Sequence, residues 1–119
     1  MIVGRNIFVS IITPNGETKI LAKVDTGAYS SSIDNSFFKS LNINDGILKN
    51  NIVKNVHGSE NREVYKIDII VKGVRIDSEL NIFDRSDMKY KMIIGRKDIK
   101  KLNAIVDINK KNKIKKWNI

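Results

Sequence analysis

The chain contains no cysteine, a single proline, one histidine and one tryptophan among its 119 residues. Without cysteine, disulfide bonds and thiolate metal ligands are excluded. No apolar run has the length that spans a bilayer, and no apolar leader with a small-residue cleavage site stands at the N-terminus. Hydrophobic residues make up 41% and charged residues 29% of the chain. We therefore expect one soluble, cytoplasmic domain, residues 1–119, with a small core.

Acidic residues are also scarce, since 13 Asp and Glu stand against 22 Lys and Arg, a formal net charge of +9. Residues 91–119 hold ten Lys or Arg and two Asp, so this segment alone carries +8. Such a block attracts nucleic acid or acidic peptides, or it forms a solvated lysine-rich edge. Because lysine dominates and one Trp accompanies it, the solvated edge is favoured and nucleic acid is an unlikely partner.

Alternation of apolar and polar residues with period two dominates the chain, and this pattern is typical of β-strands. An Asn-Gly pair at the centre of the polar segment 13–17 predicts the turn of a hairpin, with strands over residues 7–12 and 19–24. Further strands are predicted over residues 65–71, 74–82 and 104–108.

Two short segments have helical spacing instead. Asp34 is the expected N-cap of a helical turn that ends near Leu41, and residues 96–102 form the second. The polar residues 42–50 are predicted to be a loop. Residues 57–61 are predicted to form a polar hairpin tip, which either folds over a ligand or is an ordinary exposed turn. Since strands and helices do not alternate, the sequence predicts an all-β domain with one or two short helices.

One tripeptide, Asp-Thr-Gly at 25–27, carries the chemistry. Asp25 follows an apolar strand, the hydroxyl of Thr26 can lock the loop, and Gly27 allows a close approach and positive φ. Alone, these residues are also those of an ordinary polar turn. A second element far along the chain, Ile-Ile-Gly-Arg at 93–96, makes a functional reading stronger.

Together the two elements resemble the retropepsin-like aspartic proteases, in which the second element passes behind the catalytic loop and its glycine permits the crossing. The resemblance covers most of residues 20–108. It is nearest to a bacterial and archaeal group that is labelled ATP-dependent zinc protease and is associated with glutamate ligases. The segments that carry it are residues 25–32, 56–62, 83–96 and 106–107.

The resemblance implies a retropepsin-like acid-protease barrel, closed or partly open, with one lobe per chain and two chains in a homodimer. Thr26 would hydrogen-bond across to the partner's loop, and the apolar ends, residues 1–3 and 117–119, would interleave with those of the partner or else pack locally. The roles it implies are catalytic for Asp25, Thr26 and Gly27, substrate-binding for Ala28, His57, Gly58 and Ser59, and supporting for Ile94, Gly95 and Arg96.

Three positions depart from the pattern of the resembling proteins. Asp84 stands where the group usually has Asn, and Lys91 stands where it usually has Pro. Tyr29 replaces an acid that pairs in viral retropepsins with the arginine corresponding to Arg96, so the partner of Arg96 is not predicted. Zinc hydrolases need three ligands, and the chain has only His57 and no cysteine. No phosphate-binding glycine loop occurs either, so no metal or other cofactor is predicted.

The predicted reaction is hydrolysis of peptide bonds. Aspartic-protease chemistry needs two carboxylates that share one proton, and the chain has one Asp-Thr-Gly. The sequence therefore predicts a homodimer that brings Asp25 to its symmetry mate, with highest activity below neutral pH and peptide or protein substrates, acidic ones favoured by the net charge. Two alternatives stay open: a weakly active binding module of the same fold for acidic peptides, and a basic β-domain that binds nucleic acid.

Overall fold

The computed structural model describes residues 1–43, 47–55 and 58–112, and for residues 47–55 and 59–61 the description covers the backbone alone. In none of these segments is a helix long and apolar enough to cross a membrane. The elements follow one another as β1 (Ile2–Val3), β2 (Asn6–Thr13), β3 (Gly16–Val24), β4 (Ser31–Asp34), α1 (Asn35–Ser40), β5 (Ile47–Asn55), β6 (Gly58–Val71), β7 (Val74–Phe83), β8 (Met92–Ile94), α2 (Arg96–Lys101) and β9 (Ile105–Val106).

Six of these strands close into a barrel. Their order around the ring is β2, β3, β8, β4, β7 and β6, and β6 completes the ring by pairing with β2 at Ser10–Ile70 and Ile11–Ile69. β5 pairs with β6 outside the ring. The prediction of an all-β barrel with two short helices is confirmed.

The predicted first hairpin is present as β2 and β3, but its turn is placed differently. Thr13 pairs with Gly16, so Pro14 and Asn15 form the two-residue turn, rather than Asn15 and Gly16. The Thr13 hydroxyl closes the turn, accepting from the Asn15 amide at 3.2 Å and donating to the Gly16 carbonyl at 2.9 Å. Gly16 has φ +116°, a conformation that suits glycine.

The prediction of a loop over residues 42–50 is wrong for residues 47–50, because these residues belong to β5. The predicted tip at 57–61 is also too long, since residues 58–61 are already strand and Gly58 pairs with Asn55. In both segments the pairing of β5 with β6, the strand that follows it in the chain, outweighs the polar residues that predicted a loop and a turn. β6 pairs with β7 only from Val64 onward, so its first residues and β5 form a hairpin that extends beyond the ring.

The two helices begin where the sequence predicts. Asp34 caps α1, because its carboxylate accepts from the Phe37 amide at 3.1 Å. α2 starts after Gly95 and ends at Lys101. The strand predicted over 104–108 is shorter, since β9 contains only Ile105 and Val106.

The N-terminal residues pair within the chain. Ile2 and Val3 of β1 lie parallel to Ile105 and Val106 of β9, with Ile2 and Ile105 48% and 70% exposed. Of the two apolar ends that were expected to interleave with a partner or to pack locally, residues 2 and 3 therefore already pair within the chain. The other part, residues 117–119, lies outside the described residues.

The interior of the barrel is filled by aliphatic side chains that alternate along the strands. α1 closes one side, where Phe38 is buried and its ring lies 4.6 Å from that of Tyr65. Full burial of each side chain larger than alanine adds about 1.5–3 kcal/mol to the free energy of unfolding. Ala22 has zero exposure, as do the larger side chains of Val9, Ile11, Ile33, Ile69, Val71, Leu80 and Met92.

One buried side chain in this core lowers stability. Ser32 in β4 is 1% exposed, and its hydroxyl has no hydrogen-bond partner among the described residues. Because an unsatisfied buried hydroxyl retains its desolvation cost, we expect Ser32→Ala to raise the free energy of unfolding by about 1 kcal/mol. Urea denaturation measures this. Ser78→Ala is the matched control, since the Ser78 hydroxyl is hydrogen-bonded and its removal should lower stability. A lower stability of Ser32→Ala would show that its hydroxyl has a partner.

Candidate active site

Asp25 lies directly after β3, in a loop that is held by backbone hydrogen bonds. Its amide donates to the Ile94 carbonyl at 2.9 Å, which continues the parallel pairing of β3 with β8. Its carboxylate Oδ1 accepts from the Gly27 amide at 2.9 Å, and its carbonyl accepts from the Ala28 amide at 3.2 Å. Asp25 is half-buried, whereas Thr26 and Gly27 are exposed. The loop therefore presents the acid at the surface of a single chain in a defined orientation.

Gly27 sits close to the acid that it orients. A Cβ atom at this position would lie 3.2 Å from the Asp25 Oδ1 atom. That separation is tighter than an ordinary van der Waals contact, so a side chain here would press on the carboxylate. The absence of a side chain at Gly27 keeps both the hydrogen bond and the approach to Asp25 open.

The second sequence element crosses directly behind this loop. A Cβ on Gly95 would lie 2.6 Å from both the carbonyl carbon and oxygen of Ser30, and 2.9 Å from the Tyr29 carbonyl oxygen. The amide of Arg96 donates to the Ala28 carbonyl at 2.8 Å, and that of Lys97 to the Tyr29 carbonyl at 2.9 Å. The structure thus brings the residues at 94–96 against residues 25–30, the crossing that the resemblance implies.

The partner of Arg96, which the sequence does not predict, is a backbone group. Its Nη1 atom donates to the Thr26 carbonyl at 2.9 Å, and its guanidinium lies 5.9 Å from the centre of the Tyr29 ring. Cation–π contact and a charge-assisted hydrogen bond replace the ion pair of viral retropepsins. A carbonyl partner leaves no side-chain signature, so no sequence pattern could have identified it.

Arg85 places a positive charge within electrostatic range of the acid. The residue is 8% exposed, its Nε atom donates to the Tyr90 carbonyl at 3.0 Å, and its amide donates to Asp34 at 2.8 Å. Burial lowers the pKa of Arg85, while the charge of Asp25 opposes this by raising it, and Arg62 lowers it further.

Lys91, a departure from the pattern of the resembling group, closes the loop that carries Arg85. Its Nζ atom donates to the carbonyls of Arg85, Ser86 and Met88 at 3.2, 2.8 and 3.4 Å. An ammonium group has three donors, and here they converge on three backbone acceptors of one loop. The lysine thereby replaces the rigidity of a proline with a set of hydrogen bonds.

The residues of the predicted hairpin tip are the second part of the predicted site. Gly58 and Ser59 pair with Asn55 and Lys54 in the β5–β6 hairpin, and His57 lies outside the described residues. The backbone of Gly58 and Ser59 therefore belongs to the part of β6 that does not pair with β7.

The base of this hairpin is anchored to the barrel. Arg62 Nη1 donates to the side-chain oxygen of Asn81 at 2.8 Å, and its guanidinium lies 3.8 Å from the Phe83 ring centre. The Asn81 side chain in turn donates to the Ser31 carbonyl at 2.9 Å. The hairpin base and the strand that follows the Asp25 loop are therefore linked through one amide side chain.

A zinc site does not fit these side chains. Within the described part of the chain, no three His, Cys, Asp or Glu residues lie close enough together to hold a metal ion. Zinc hydrolases need three such ligands and an open position.

Comparison with known proteins supports the fold. No protein-family model and no curated protein matches the chain. Among solved structures, Lpg0085 from Legionella pneumophila subsp. pneumophila str. Philadelphia 1, a protein of unknown function (DUF785), is 21% identical with a TM-score of 0.65, over 92% of this chain and 94% of that one. EIAV protease complexed with the inhibitor HBY-793 is 20% identical with a TM-score of 0.68, over 87% and 91% of the two chains. The chain has a retropepsin-like fold.

Proposed function

We propose that the protein is an aspartic endopeptidase that acts as a homodimer. The observation that carries this proposal is the position of Asp25. Its loop is closed from behind by Gly95, and its front, with Thr26 and Gly27, is exposed. The motif occurs once in the sequence, so the second carboxylate of the pair comes from a second copy of the chain. The similarity of the fold to that of EIAV protease supports the assignment as a protease.

In the dimer the two carboxylates divide the chemical work. Ionised Asp25 of one protomer takes a proton from a water molecule, and the water oxygen attacks the carbonyl carbon of the scissile bond. The protonated carboxyl of the partner's Asp25 donates a hydrogen bond to the carbonyl oxygen. The proton that Asp25 took from the water then passes to the amide nitrogen, and the C–N bond breaks to release two peptides, which leaves one carboxylate ionised and the other protonated as before. The Gly27 amide holds one oxygen of each carboxylate in place.

We propose peptides with acidic residues as the substrate class, and membership of the glutamate-ligase-associated group. The net charge of +9 attracts acidic chains. Arg85, a buried residue within electrostatic range of Asp25, adds a positive charge to the surroundings of the acid. The sequence resemblance to that group points to the same substrates.

Two of the four basic residues of α2 give no support to either alternative function. Lys97 forms an ion pair with Glu79, and Lys101 forms one with Asp77 at 3.4 Å. These two cations are therefore committed to partners within the chain. The intact Asp25 loop favours catalysis, because a binding module has no need of an oriented carboxylate.

Concentration dependence tests the proposed dimer. We expect sedimentation to show a dimer. Peptide cleavage is measured by mass spectrometry on a mixed library of acidic and neutral peptides, and its specific activity should fall on dilution. Thr26→Ala should raise the dimer dissociation constant about tenfold, because two symmetric hydrogen bonds worth about 0.5–1.5 kcal/mol each would be lost. Thr18→Ala, near the start of β3, is the control. Cleavage at the full specific rate by a monomer would disprove the proposal.

A further inference from the structure

A buried carboxylate behind the catalytic loop has no part in the reaction as proposed. Asp98 lies in the first turn of α2 and is 2% exposed. Its Oδ2 atom accepts from the Ser31 hydroxyl at 2.6 Å and from the Ser78 hydroxyl at 2.5 Å. Both serines are buried as well, at 1% and 0%. Two strands, β4 and β7, and one helix, α2, thus meet at a single oxygen atom.

Ser31 connects this carboxylate to the crossing. Its hydroxyl oxygen accepts from the Gly95 amide at 3.0 Å while its proton goes to Asp98. Since a carboxylate can only accept and an amide N–H can only donate, the direction of both hydrogen bonds is fixed. The position of the Gly95 amide is therefore set by Asp98 through one hydroxyl.

From Gly95 the connection continues to the catalytic loop. The next residue, Arg96, binds the Ala28 carbonyl through its amide and the Thr26 carbonyl through its guanidinium. These two carbonyls flank Gly27, whose amide orients the Asp25 carboxylate. A displacement of Gly95 would therefore move the acid.

The cost of burying Asp98 is a reason to look for a role beyond stability. A carboxylate buried without an ion-pair partner is generally less favourable than a well-packed apolar residue of similar size. The ion pairs found among the described residues do not include Asp98. Hydrogen bonds from two hydroxyls satisfy its Oδ2 atom, and Lys97 lies within electrostatic range of it.

We propose that Asp98 is a positioning residue, which holds the Gly95 amide through Ser31 and thereby sets the Asp25 loop in its reactive geometry. Because both serines donate to one oxygen, the required feature is an acceptor at that place. An amide oxygen in Asp98→Asn can accept both hydroxyls, whereas Asp98→Ala offers no acceptor. The effect of Asp98 on cleavage rests on the proposed function, but its effect on the loop does not.

Hydrogen exchange of single amides, followed by NMR, tests the position of the loop. In Asp98→Ala we expect the Gly95 and Gly27 amides to exchange at least about tenfold faster than in the parent, a loss of about 1.4 kcal/mol of local stability. Asp98→Asn should retain slow exchange. The control is Ile69→Val, a core variant in β6. The exchange rates of the two variants are compared at urea concentrations that give them the same free energy of unfolding. If Asp98→Ala proves unable to fold, Ser31→Ala breaks the same connection; because it also removes the acceptor of the Gly95 amide, the amide to follow is that of Gly27, which should exchange faster.

Three results of this experiment would overturn the proposal. The first is unchanged exchange at Gly95 and Gly27 in Asp98→Ala or, where Asp98→Ala does not fold, unchanged exchange at Gly27 in Ser31→Ala. The second is equal acceleration in Ile69→Val, which would mean a general loss of stability. The third is failure of Asp98→Asn to retain slow exchange.

Cleavage kinetics supply the second readout. In a parent that cleaves peptides, Asp98→Ala should lower kcat about tenfold or more with little change in KM, because misplacing the acid affects the transition state more than substrate binding. A change confined to KM would overturn the positioning role. A parent that cleaves no peptide would refute the proposed function, and the exchange experiment would still decide the role of Asp98.

Discussion

Asp25→Asn lowers the rate of peptide cleavage by a factor of about 10³ or more, and the variant remains a folded dimer. The amide of the new side chain cannot act as the base or share the proton of the pair. The fold should survive, because an amide oxygen can still accept the hydrogen bond from Gly27 that Oδ1 of Asp25 accepts at 2.9 Å.

This result is measured by mass spectrometry of peptide products, with circular dichroism and sedimentation to establish folding and assembly. Asp87→Asn is the matched control, because it makes the same chemical change at an exposed position and should leave the rate unchanged. Cleavage by Asp25→Asn at the parental rate would mean that the Asp25 carboxylate is not catalytic.

Gly95→Ala should strongly lower the free energy of unfolding. The added Cβ would lie 2.6 Å from backbone atoms of Ser30, and a backbone held by hydrogen bonds cannot move aside cheaply. The crossing would have to separate, which lengthens the hydrogen bonds from Arg96 to Ala28 and from Lys97 to Tyr29. We expect a loss of about 3 kcal/mol or more in the free energy of unfolding.

Gly73→Ala separates this clash from the ordinary cost of replacing a glycine. Gly73 has φ +78° in the turn between β6 and β7, and a Cβ there would meet nothing within 4 Å. Only backbone strain is expected at this position, about 1–2 kcal/mol. Urea denaturation of both variants gives the comparison. Equal losses would show that the crossing at Gly95 can open to admit a methyl group.

Local signals in the sequence identified the elements whose structure depends on neighbouring residues. The helix cap at Asp34 was predictable because an N-cap carboxylate binds an amide three residues further on. The hairpin of β2 and β3 was predictable from alternation around one turn. The turn centre was misplaced by one residue, because the register depends on how the two strands pair.

Long-range pairing decided what the sequence left open or gave wrongly. Residues 47–50 were predicted to be a loop, yet they form a strand because residues 63–65 of β6 offer a partner edge. The contact of Arg96 with a backbone carbonyl had no side-chain signal. The meeting of Ser31, Ser78 and Asp98 joins residues 20 and 67 positions apart, and no local periodicity reports such a meeting.

By itself the sequence determined the strand-rich architecture, the two short helices and the candidate acid in its Asp-Thr-Gly loop, since strand alternation, capping and turn chemistry act over a few neighbouring residues. Only the tertiary structure decided which backbone groups hold that acid, where Arg85 places its charge, and which buried carboxylate lies behind the crossing. Those features arise from packing between strands that are far apart in the chain, and such packing is settled only when the barrel closes.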